Sequence, residues 1–354
     1  MIKYEKFYKI NFSKYFLTLS LGVLIIISVL ILNSISPSIF PGYYIYIFLA
    51  IIIFLIFIKI DFDVFSAFSK HLYWLSIFFL VITFFLGKVT RGSIRWIPIG
   101  FVTIQPSEVF RAFILLYLAK YITEKELTLK RTLILFFYFL IPFILILIQP
   151  SLGVAIVTMI GFLGLIVASP IEKKYFLYVF IIFCAVLPLF WFILAPYQKE
   201  RIRVFLNPYS DPQGAGYNSI QSMISVGSGR IFGRGLGEGI QTQLKYLPEK
   251  QTDFIFAAIS EEMGLLGSFL ILLSFFVIFY ILIKIIEVSS NQTVRVFVSG
   301  VFFIFLAQTF IHIGMNMGIV PVTGLPLPFV SSGGSALIGS SIMLSIAAGS
   351  NRCN

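Results

Sequence analysis

The chain has 354 residues, of which 59% are hydrophobic and only 12% are charged, and its formal net charge is +11. Its mean hydropathy of +1.00 lies far above that of soluble proteins. These values exclude a soluble globular domain and indicate an integral membrane protein.

A transmembrane helix needs about 20 mostly apolar residues. Ten segments satisfy this rule, so the predicted fold class is all-α: one polytopic membrane domain, residues 1–354, with about ten transmembrane helices. The predicted spans are 14–33, 42–60, 71–87, 106–121, 132–149, 152–170, 175–195, 254–286, 295–319 and 329–349. No small-residue cleavage site follows the basic amino-terminal stretch, so we expect the first helix to remain uncleaved.

Positive charges in short loops predict the orientation of the helices. With the amino terminus inside, the cytoplasmic connections collect most of the short-loop lysines and arginines, and ten spans return the carboxyl terminus to the same side. Three polar insertions, 88–105, 196–252 and 320–335, then lie together on the outer face. We therefore expect any site built from them to face outward.

The segment 196–252 is the only long hydrophilic stretch, and loops of this length are usually functional or disordered. Apolar residues recur along it, which predicts a folded extracytoplasmic loop with short helices. Its cations include Arg201, Arg203, Lys245 and Lys250. Because arginine binds phosphate through a planar fork and lysine binds it as a point charge, the set favours an anionic headgroup. The alternative is an ordinary solvated loop.

Glycines inside this loop, at 227–229 and 233–237, allow tight turns and close approach of the backbone to a ligand. The outer segment 320–335 contains three prolines and a Gly-Gly pair, which cannot continue a regular helix and leave backbone groups free. We include Ser331 and Gly333 of that segment among the substrate-binding candidates.

Asp253 lies where the large loop meets an apolar span. A carboxylate in hydrocarbon costs on the order of 3 kcal/mol, so this residue is the first candidate for chemistry. Glu108 and Arg111 share a helix face, either as a capped and paired helix start or, as we favour, as the lining of a polar cavity. Glu261 and Glu262 follow Asp253, and a capping Asp with buried, paired Glu residues is the structural alternative.

Several motifs now resemble one family. They are QPSE at 105–108, FLNPYSDPQGAGYNSIQS at 205–222, LPEKQTDFIFA at 247–257 and GMNMGIVPVTGLPLPFVSSGGS at 314–335. Their order and spacing are similar to those of the SEDS family of polytopic peptidoglycan polymerases, over nearly the whole chain. The GAGY form resembles the elongation branch, RodA, more than the division branch, FtsW.

The resemblance implies a membrane glycosyltransferase that polymerises lipid II on the outer face of the bacterial cytoplasmic membrane. It also implies a class B penicillin-binding protein and other elongation-machinery membrane proteins as partners, with membrane lipids around it and no nucleic acid. The family's essential aspartate corresponds to Asp253 and its helix-borne glutamate to Glu108. Arg111 stands where a lysine is usual, which puts in doubt any role that needs a titrating lysine.

The mechanism we expect is an inverting transfer with Asp253 as general base for the acceptor hydroxyl. The donor pyrophosphate would bind Arg201, helped by Arg203, Lys245 or Lys250, and these cations or a Mg²⁺ or Mn²⁺ ion would stabilise the leaving group. No protein metal ligands are predicted.

Two other classes of function fit part of the pattern. A lipid II flippase is suggested by the buried Glu108 and Arg111 pair and by the broken helices before Pro328, although no inverted repeat is visible. A scaffold that only activates a partner synthase would make Asp253 structural.

Overall fold

The computed structural model describes residues 2–90, 93–100, 102–169, 196–214 and 216–350. The first part of the chain forms α1 (Ile2–Ile35), α2 (Gly42–Phe57), α3 (Phe62–Leu86), α4 (Pro106–Val109), α5 (Arg111–Glu124), α6 (Leu129–Ile148) and α7 (Leu152–Ala168). The second part forms α8 (Pro196–Leu206), α9 (Tyr217–Ser228), α10 (Ile240–Gln243), α11 (Ile255–Val288), α12 (Gln292–Asn316) and α13 (Gly334–Gly349).

Nine of the ten predicted spans coincide with these helices, and the span 175–195 lies outside the described residues. Within the described ranges, five helices are long and apolar enough to cross a membrane: Tyr15–Ile35 within α1, α3, α6, α11 and α12. Three shorter apolar helices, α2, α7 and α13, accompany them. The all-α membrane fold is therefore confirmed, while the count of ten spans stays a prediction.

Helix boundaries differ from the predicted ones where polar residues extend a helix beyond its apolar part. The helix α3 begins at Phe62 instead of 71, because Asp61 precedes it as N-cap and Asp63 lies in its first turn. The predicted span 106–121 is divided into α4 and α5 at Phe110. Hydropathy marks the lipid-facing part of a helix and does not register its polar ends.

A small antiparallel sheet in the insertion 88–105 was not predicted. It has the order β1 (Lys88–Thr90), β2 (Ser93–Ile99) and β3 (Val102–Ile104). The strand β3 is tied to α2, because Thr103 donates its backbone N–H to the Tyr46 hydroxyl at 2.7 Å and accepts from it at 2.9 Å. The sheet therefore has a fixed position at the end of the bundle where α2 begins.

The helix α13 is at the centre of the bundle, with every residue from Gly334 to Gly349 buried. It packs against α2 and α4, and α12 packs against α7, α11 and α5. Between α6 and α7, Phe139 and Phe162 stack with ring centroids 4.1 Å apart. Close packing of this kind, not a hydrophobic driving force, holds helices together in lipid.

The helix α11 is interrupted at Gly264, whose φ of 65° and ψ of −157° are not helical. The glycine-rich part of the large loop fills the interruption: Arg234 donates its N–H to the Glu261 carbonyl at 2.9 Å, and Leu265 donates to the Arg230 carbonyl at 2.9 Å. A Cβ on Gly229 would lie 1.6 Å from the Ser260 carbonyl oxygen. Gly229 and Gly233 therefore approach the protein's own backbone, and the expectation that glycines of this loop approach a ligand stays a prediction.

Glu261 and Glu262 hold the same loop from below, and both are buried. Glu261 accepts from the backbone N–H groups of Gln241 and Thr242 at 2.8 and 3.0 Å. Glu262 accepts from the Ser34 hydroxyl at 2.5 Å and from the Gln243 side-chain amide at 2.9 Å. Both glutamates are therefore buried and hydrogen-bonded, and neither lines the cavity described next.

Candidate active site

A cavity of about 1310 Å³ lies beneath the three polar insertions, each of which supplies part of its wall. Its polar side chains include Arg95, Glu108, Arg201, Glu249 and Asp253. Apolar residues of α6, α7, α8 and α12 form the remaining wall: Phe143, Leu147, Val154, Met159, Ile202, Phe205 and Ile311. One cavity therefore combines charged groups with an apolar surface, as a site for a lipid-linked polar molecule requires.

Asp253 lies immediately before α11 and is partly exposed to the cavity. The N-cap of α11 is Phe254, so Asp253 does not occupy the capping position that the structural alternative gave it. The backbone of Asp253 is held instead by Asn316 of α12, whose Nδ2 donates to the Asp253 carbonyl at 3.0 Å. The Oδ1 atom of the same amide accepts from the N–H of Ala257 at 3.0 Å.

Asn316 is fully buried, and the sequence analysis did not select it. A buried amide must satisfy both its donor and its acceptor, and here the partners are the backbone on either side of the start of α11. The available signal was an amide side chain at the outer end of an apolar span. That signal alone does not reveal that the amide bonds to the backbone of Asp253 and Ala257.

The serines after Phe329 fix the residues that precede Asp253. The Ser331 hydroxyl donates to the Thr252 carbonyl at 2.9 Å and accepts from the N–H of Leu327 at 2.9 Å. Ser332 donates to the Gln251 carbonyl from its N–H at 3.0 Å and from its hydroxyl at 2.8 Å. Ser331 is buried and does not line the cavity, so it positions the loop, whereas Gly333 does line the cavity.

Gly324 lies between the candidate base and the candidate phosphate-binding group. A Cβ on Gly324 would be 3.6 Å from Asp253 Oδ2 and 3.9 Å from Arg201 Nη1. Its φ of +73° suits glycine, and Arg201 Nη1 donates to the Val322 carbonyl of the same loop at 3.1 Å. Asp253 and Arg201 therefore line the same cavity close to Gly324, and Gly324 is a second site residue that the sequence analysis missed.

His312 supports this loop from within the bundle. Its Nδ1 lies 2.7 Å from the carbonyl oxygen of buried Leu325, the residue that follows Gly324. The loop 320–328 is thus anchored to α12, which also carries Asn316. A single helix positions both walls of the space in front of Asp253.

Glu108 and Arg111 form a buried ion pair at the junction of α4 and α5. Glu108 lines the cavity, and Arg111 lies behind it without reaching the cavity wall. A buried charge within a membrane is tolerated when it is paired. The prediction that both residues line the cavity therefore holds for Glu108 alone, and Arg111 acts as its counter-charge.

The four predicted phosphate-binding cations do not share one site. Arg203 points away from the cavity, with a side chain 68% exposed and 3.6 Å from Glu200. Lys245 and Lys250 line a separate cavity of about 410 Å³. Of the predicted cations, Arg201 lines the large cavity, where it is joined by Arg95 of β2, which the predicted set lacked.

Lys250 is buried, and its ammonium group donates to the Thr242 carbonyl. Burial lowers the pKa of Lys250 and nearby Lys245 lowers it further, while Glu262 and Glu261 raise it. Burial is the largest of these effects because it penalises the charged form.

Among the described residues, no three or more His, Cys, Asp or Glu side chains gather in an arrangement that could hold a metal ion. The cavity carboxylates therefore do not form a protein-built metal site in this part of the chain.

The chain is similar in sequence to a known protein family and to named members of it. The family model described as cell cycle protein, covering FtsW, RodA and SpoVE, matches residues 9–352. Peptidoglycan glycosyltransferase MrdB of Escherichia coli (strain K12) is 37% identical over 294 residues, which are 82% of this chain and 79% of the relative. Probable peptidoglycan glycosyltransferase FtsW of Wigglesworthia glossinidia brevipalpis is 37% identical over 306 residues, which are 83% and 78% of the two chains.

Two solved structures share the fold. One chain, from a peptidoglycan synthase complex that coordinates polymerization and crosslinking, superposes with a TM-score of 0.82 at 24% identity, covering 95% of this chain and 97% of that one. The rod shape determining protein RodA of Thermus thermophilus superposes with a TM-score of 0.71 at 21% identity, covering 95% of each chain. At these identities the likeness establishes the fold.

Proposed function

The chain belongs to the FtsW/RodA/SpoVE family, and we propose that it is a peptidoglycan glycosyltransferase that polymerises lipid II during cell elongation. The observation that carries this proposal is that Asp253 Oδ2 and Arg201 Nη1 both lie within 4 Å of the position of a Cβ on Gly324, in a cavity with an apolar wall. A base and a cation facing one space suit the transfer of a sugar from a lipid pyrophosphate.

The reaction is an inverting glycosyl transfer. Asp253 accepts the proton of an acceptor sugar hydroxyl, whose own pKa is far above neutrality, as its oxygen attacks the anomeric carbon of the donor. The bond between that carbon and the donor pyrophosphate breaks, and the pyrophosphate leaves with the electron pair. Arg201 and Arg95 supply the positive charge that stabilises it.

The other cavity residues hold these groups in place. Glu108 contributes a paired carboxylate to the wall, while Asn316 and Ser331 fix the backbone around Asp253. Correct placement of reacting groups lowers the barrier because translational and rotational freedom is lost in advance. The apolar wall receives the first part of the lipid chain.

A decisive experiment gives lipid II to the purified full-length chain and its Asp253→Asn variant. Polymer from the wild type and none from the variant support the proposal, and Asp63→Asn, which alters an exposed carboxylate at the start of α3, is the matched control. Unchanged polymer from Asp253→Asn refutes the base assignment. Labelled lipid II crossing proteoliposomes without polymer formation would instead support a flippase.

We propose that a divalent cation binds together with the substrate. Mg²⁺ is commonly held by one or two carboxylates together with substrate phosphates, so Mg²⁺ or Mn²⁺ would enter on the pyrophosphate, with Asp253 or Glu249 as a protein ligand. Polymerisation that stops on chelation with EDTA and returns with either ion supports this requirement. Activity that survives chelation contradicts it.

The chain is a multi-pass membrane protein, and we place it in the bacterial cytoplasmic membrane with both termini inside and the cavity outside. Charge in the short loops supports this orientation. A cysteine introduced at Ser210, in the exposed large loop, should react with a membrane-impermeant maleimide in intact spheroplasts. Labelling only after lysis would show that the large loop faces the cytoplasm, opposite to the proposed orientation.

A class B penicillin-binding protein is the proposed partner, together with other membrane proteins of the elongation machinery. Support comes from the fold shared with a chain of a peptidoglycan synthase complex. Polymerisation by the chain without any other glycosyltransferase would separate an enzyme from a scaffold. The division branch remains the alternative role, and restoration of rod shape or of septation in depleted cells distinguishes the two.

A further inference from the structure

The smaller cavity lies beside the active-site cavity and is lined by two stretches of chain. One is the turn between α1 and α2, residues 35–38, and the other is 245–251, which leads directly to Asp253. Glu249 lines both cavities, so the two cavities meet at this residue. A molecule in the smaller cavity would therefore lie next to one in the larger cavity.

Two lysines and one carboxylate, that of Glu249, line this smaller cavity. Lys245 is exposed at its edge and Lys250 is buried in its wall, where Thr242 and the nearby Glu261 and Glu262 hold the ammonium group in place. Both lysines line the same cavity, and the positive charge of Lys245 adds to burial in lowering the pKa of Lys250. An anion between them would offset that charge, and Ser36 of the turn adds a neutral hydrogen-bonding group.

The backbone at the edge of this cavity is strained. Lys245 and Glu249 have φ values of 60° and 51°, in the left-handed region that non-glycine residues rarely adopt. Such conformations cost of order 1 kcal/mol or more each and persist where the surrounding structure imposes them, often at ligand sites. Leu247 lies between the two and is buried, with its N–H donating to the Gln241 carbonyl at 3.1 Å. The lysines are therefore presented by a fixed turn.

We propose that the cavity between Lys245 and Lys250 binds a phosphate or pyrophosphate group, distinct from the one held by Arg201. Resting on the proposed function, the inference assigns this group to the second lipid-linked substrate, because polymerisation needs two such molecules at once. Lysine ammonium groups bind phosphate as point charges, while the arginines of the large cavity suit the leaving pyrophosphate. Glu249 then lies between the phosphate ends of the two substrates.

A site-resolved test measures how fast each lysine of the full-length purified chain reacts with acetic anhydride, by mass spectrometry, with and without inorganic pyrophosphate. Lys245 should lose reactivity, whereas Lys284, an exposed lysine paired with Glu287 at 2.7 Å on α11, should not. Sodium chloride at matched ionic strength controls for screening. Equal reactivity of Lys245 in both conditions, or equal slowing of every lysine, would overturn the proposal.

The same labelling experiment in nanodiscs identifies which molecule supplies the phosphate group. The nanodiscs contain phosphatidylcholine alone, phosphatidylcholine with phosphatidylglycerol, or phosphatidylcholine with lipid II. Protection of Lys245 by lipid II and not by phosphatidylglycerol supports the second-substrate assignment. Equal protection by phosphatidylglycerol, or protection by inorganic pyrophosphate alone, overturns that assignment.

Lys245→Gln provides an independent check, because Lys245 is exposed and takes no part in the hydrogen bond between Lys250 and the Thr242 carbonyl. This variant should raise KM for lipid II while polymer still forms, and Lys284→Gln should leave KM unchanged. The labelling experiment needs no turnover, so it distinguishes failure of this site from failure of the proposed activity. If the protein makes no polymer but pyrophosphate still protects Lys245, the anion site is supported and the proposed activity is not. If the wild type makes polymer and Lys245→Gln has an unchanged KM, the anion site is contradicted.

Discussion

Asn316 and Asp253 are 63 positions apart in the chain, yet the side-chain amide of Asn316 donates a hydrogen bond to the backbone carbonyl of Asp253 at 3.0 Å. The amide oxygen accepts from Ala257, so the contact spans the start of α11. The helix that carries Asn316 also holds the opposite loop through His312. The position of the candidate base therefore depends on the packing of α12 as much as on its own segment.

Replacement of Asn316 by alanine should lower kcat with little change in KM for lipid II. The Asp253 carbonyl and the Ala257 N–H each lose a partner, which costs about 1–3 kcal/mol for each buried group left unsatisfied. Steady-state kinetics and thermal unfolding in detergent measure the two effects. Asn291→Ala, which removes the side-chain cap at the other end of α12, is the control and should reduce stability while kcat is retained. Equal kcat in both variants would contradict a positioning role.

Replacement of Arg201 by glutamine should weaken use of the donor lipid. A hydrogen bond to a charged group contributes about 1.5–3 kcal/mol, which corresponds to roughly a 10- to 100-fold loss in kcat/KM. Arg203→Gln removes a neighbouring cation of the same helix that is exposed and near Glu200, and it should change kcat/KM little. If both variants lose activity equally, the large cavity does not distinguish the two arginines and the assignment to Arg201 is wrong.

A methyl group on Gly324 should impair polymerisation. It would stand 3.6 Å from Asp253 Oδ2, in the space between the base and Arg201, and the φ of +73° adds about 1 kcal/mol of strain to any other residue. Gly227→Ala is a matched control, since a Cβ at that helical position meets nothing within 4 Å. The comparison is made by polymer yield at equal amounts of folded protein. Full activity in Gly324→Ala would place the substrate elsewhere.

Stability should depend on alkaline pH through Lys250, whose pKa is lowered, chiefly by burial. A lysine with a lowered folded-state pKa binds fewer protons when folded than when unfolded, so this residue destabilises the protein below its folded-state pKa. The penalty is relieved as pH rises from that lowered value towards 10.5, the ordinary value of an unfolded lysine. Thermal unfolding between neutral pH and pH 10.5 should therefore show a smaller alkaline gain in Lys250→Met than in Lys245→Met. An identical pH dependence in the two variants would contradict this effect.

The helices and the base were accessible from local patterns. Hydropathy found α1, α2, α6, α7, α11, α12 and α13 with modest errors at their ends, because the membrane selects apolar residues over about 20 positions in a row. Asp253 was found because a carboxylate at the edge of an apolar span is costly without a purpose. The small sheet was missed because three short strands in a polar insertion leave a weak pattern.

The sequence did not predict which of the site residues lie together. Four cations of one loop look alike in the sequence, yet the structure separates them. Arg201 lines the large cavity and Arg203 is exposed, whereas Lys245 and Lys250 line the smaller cavity. Arg95, Asn316 and Gly324 enter the site from three other segments. No local property of these residues distinguishes them from others of their type.

The amino-acid sequence by itself determined that this protein is a bundle of membrane helices, and it indicated a candidate catalytic carboxylate at the mouth of one of them. Hydropathy and charge are properties of neighbouring residues, so they can be read along the chain. The tertiary structure alone decided that Arg201 faces Asp253 across Gly324, and that Lys245 and Lys250 lie in a second cavity beyond Glu249. Those relationships depend on how distant segments pack, because contacts between them are made by shape and hydrogen bonding after the helices have assembled.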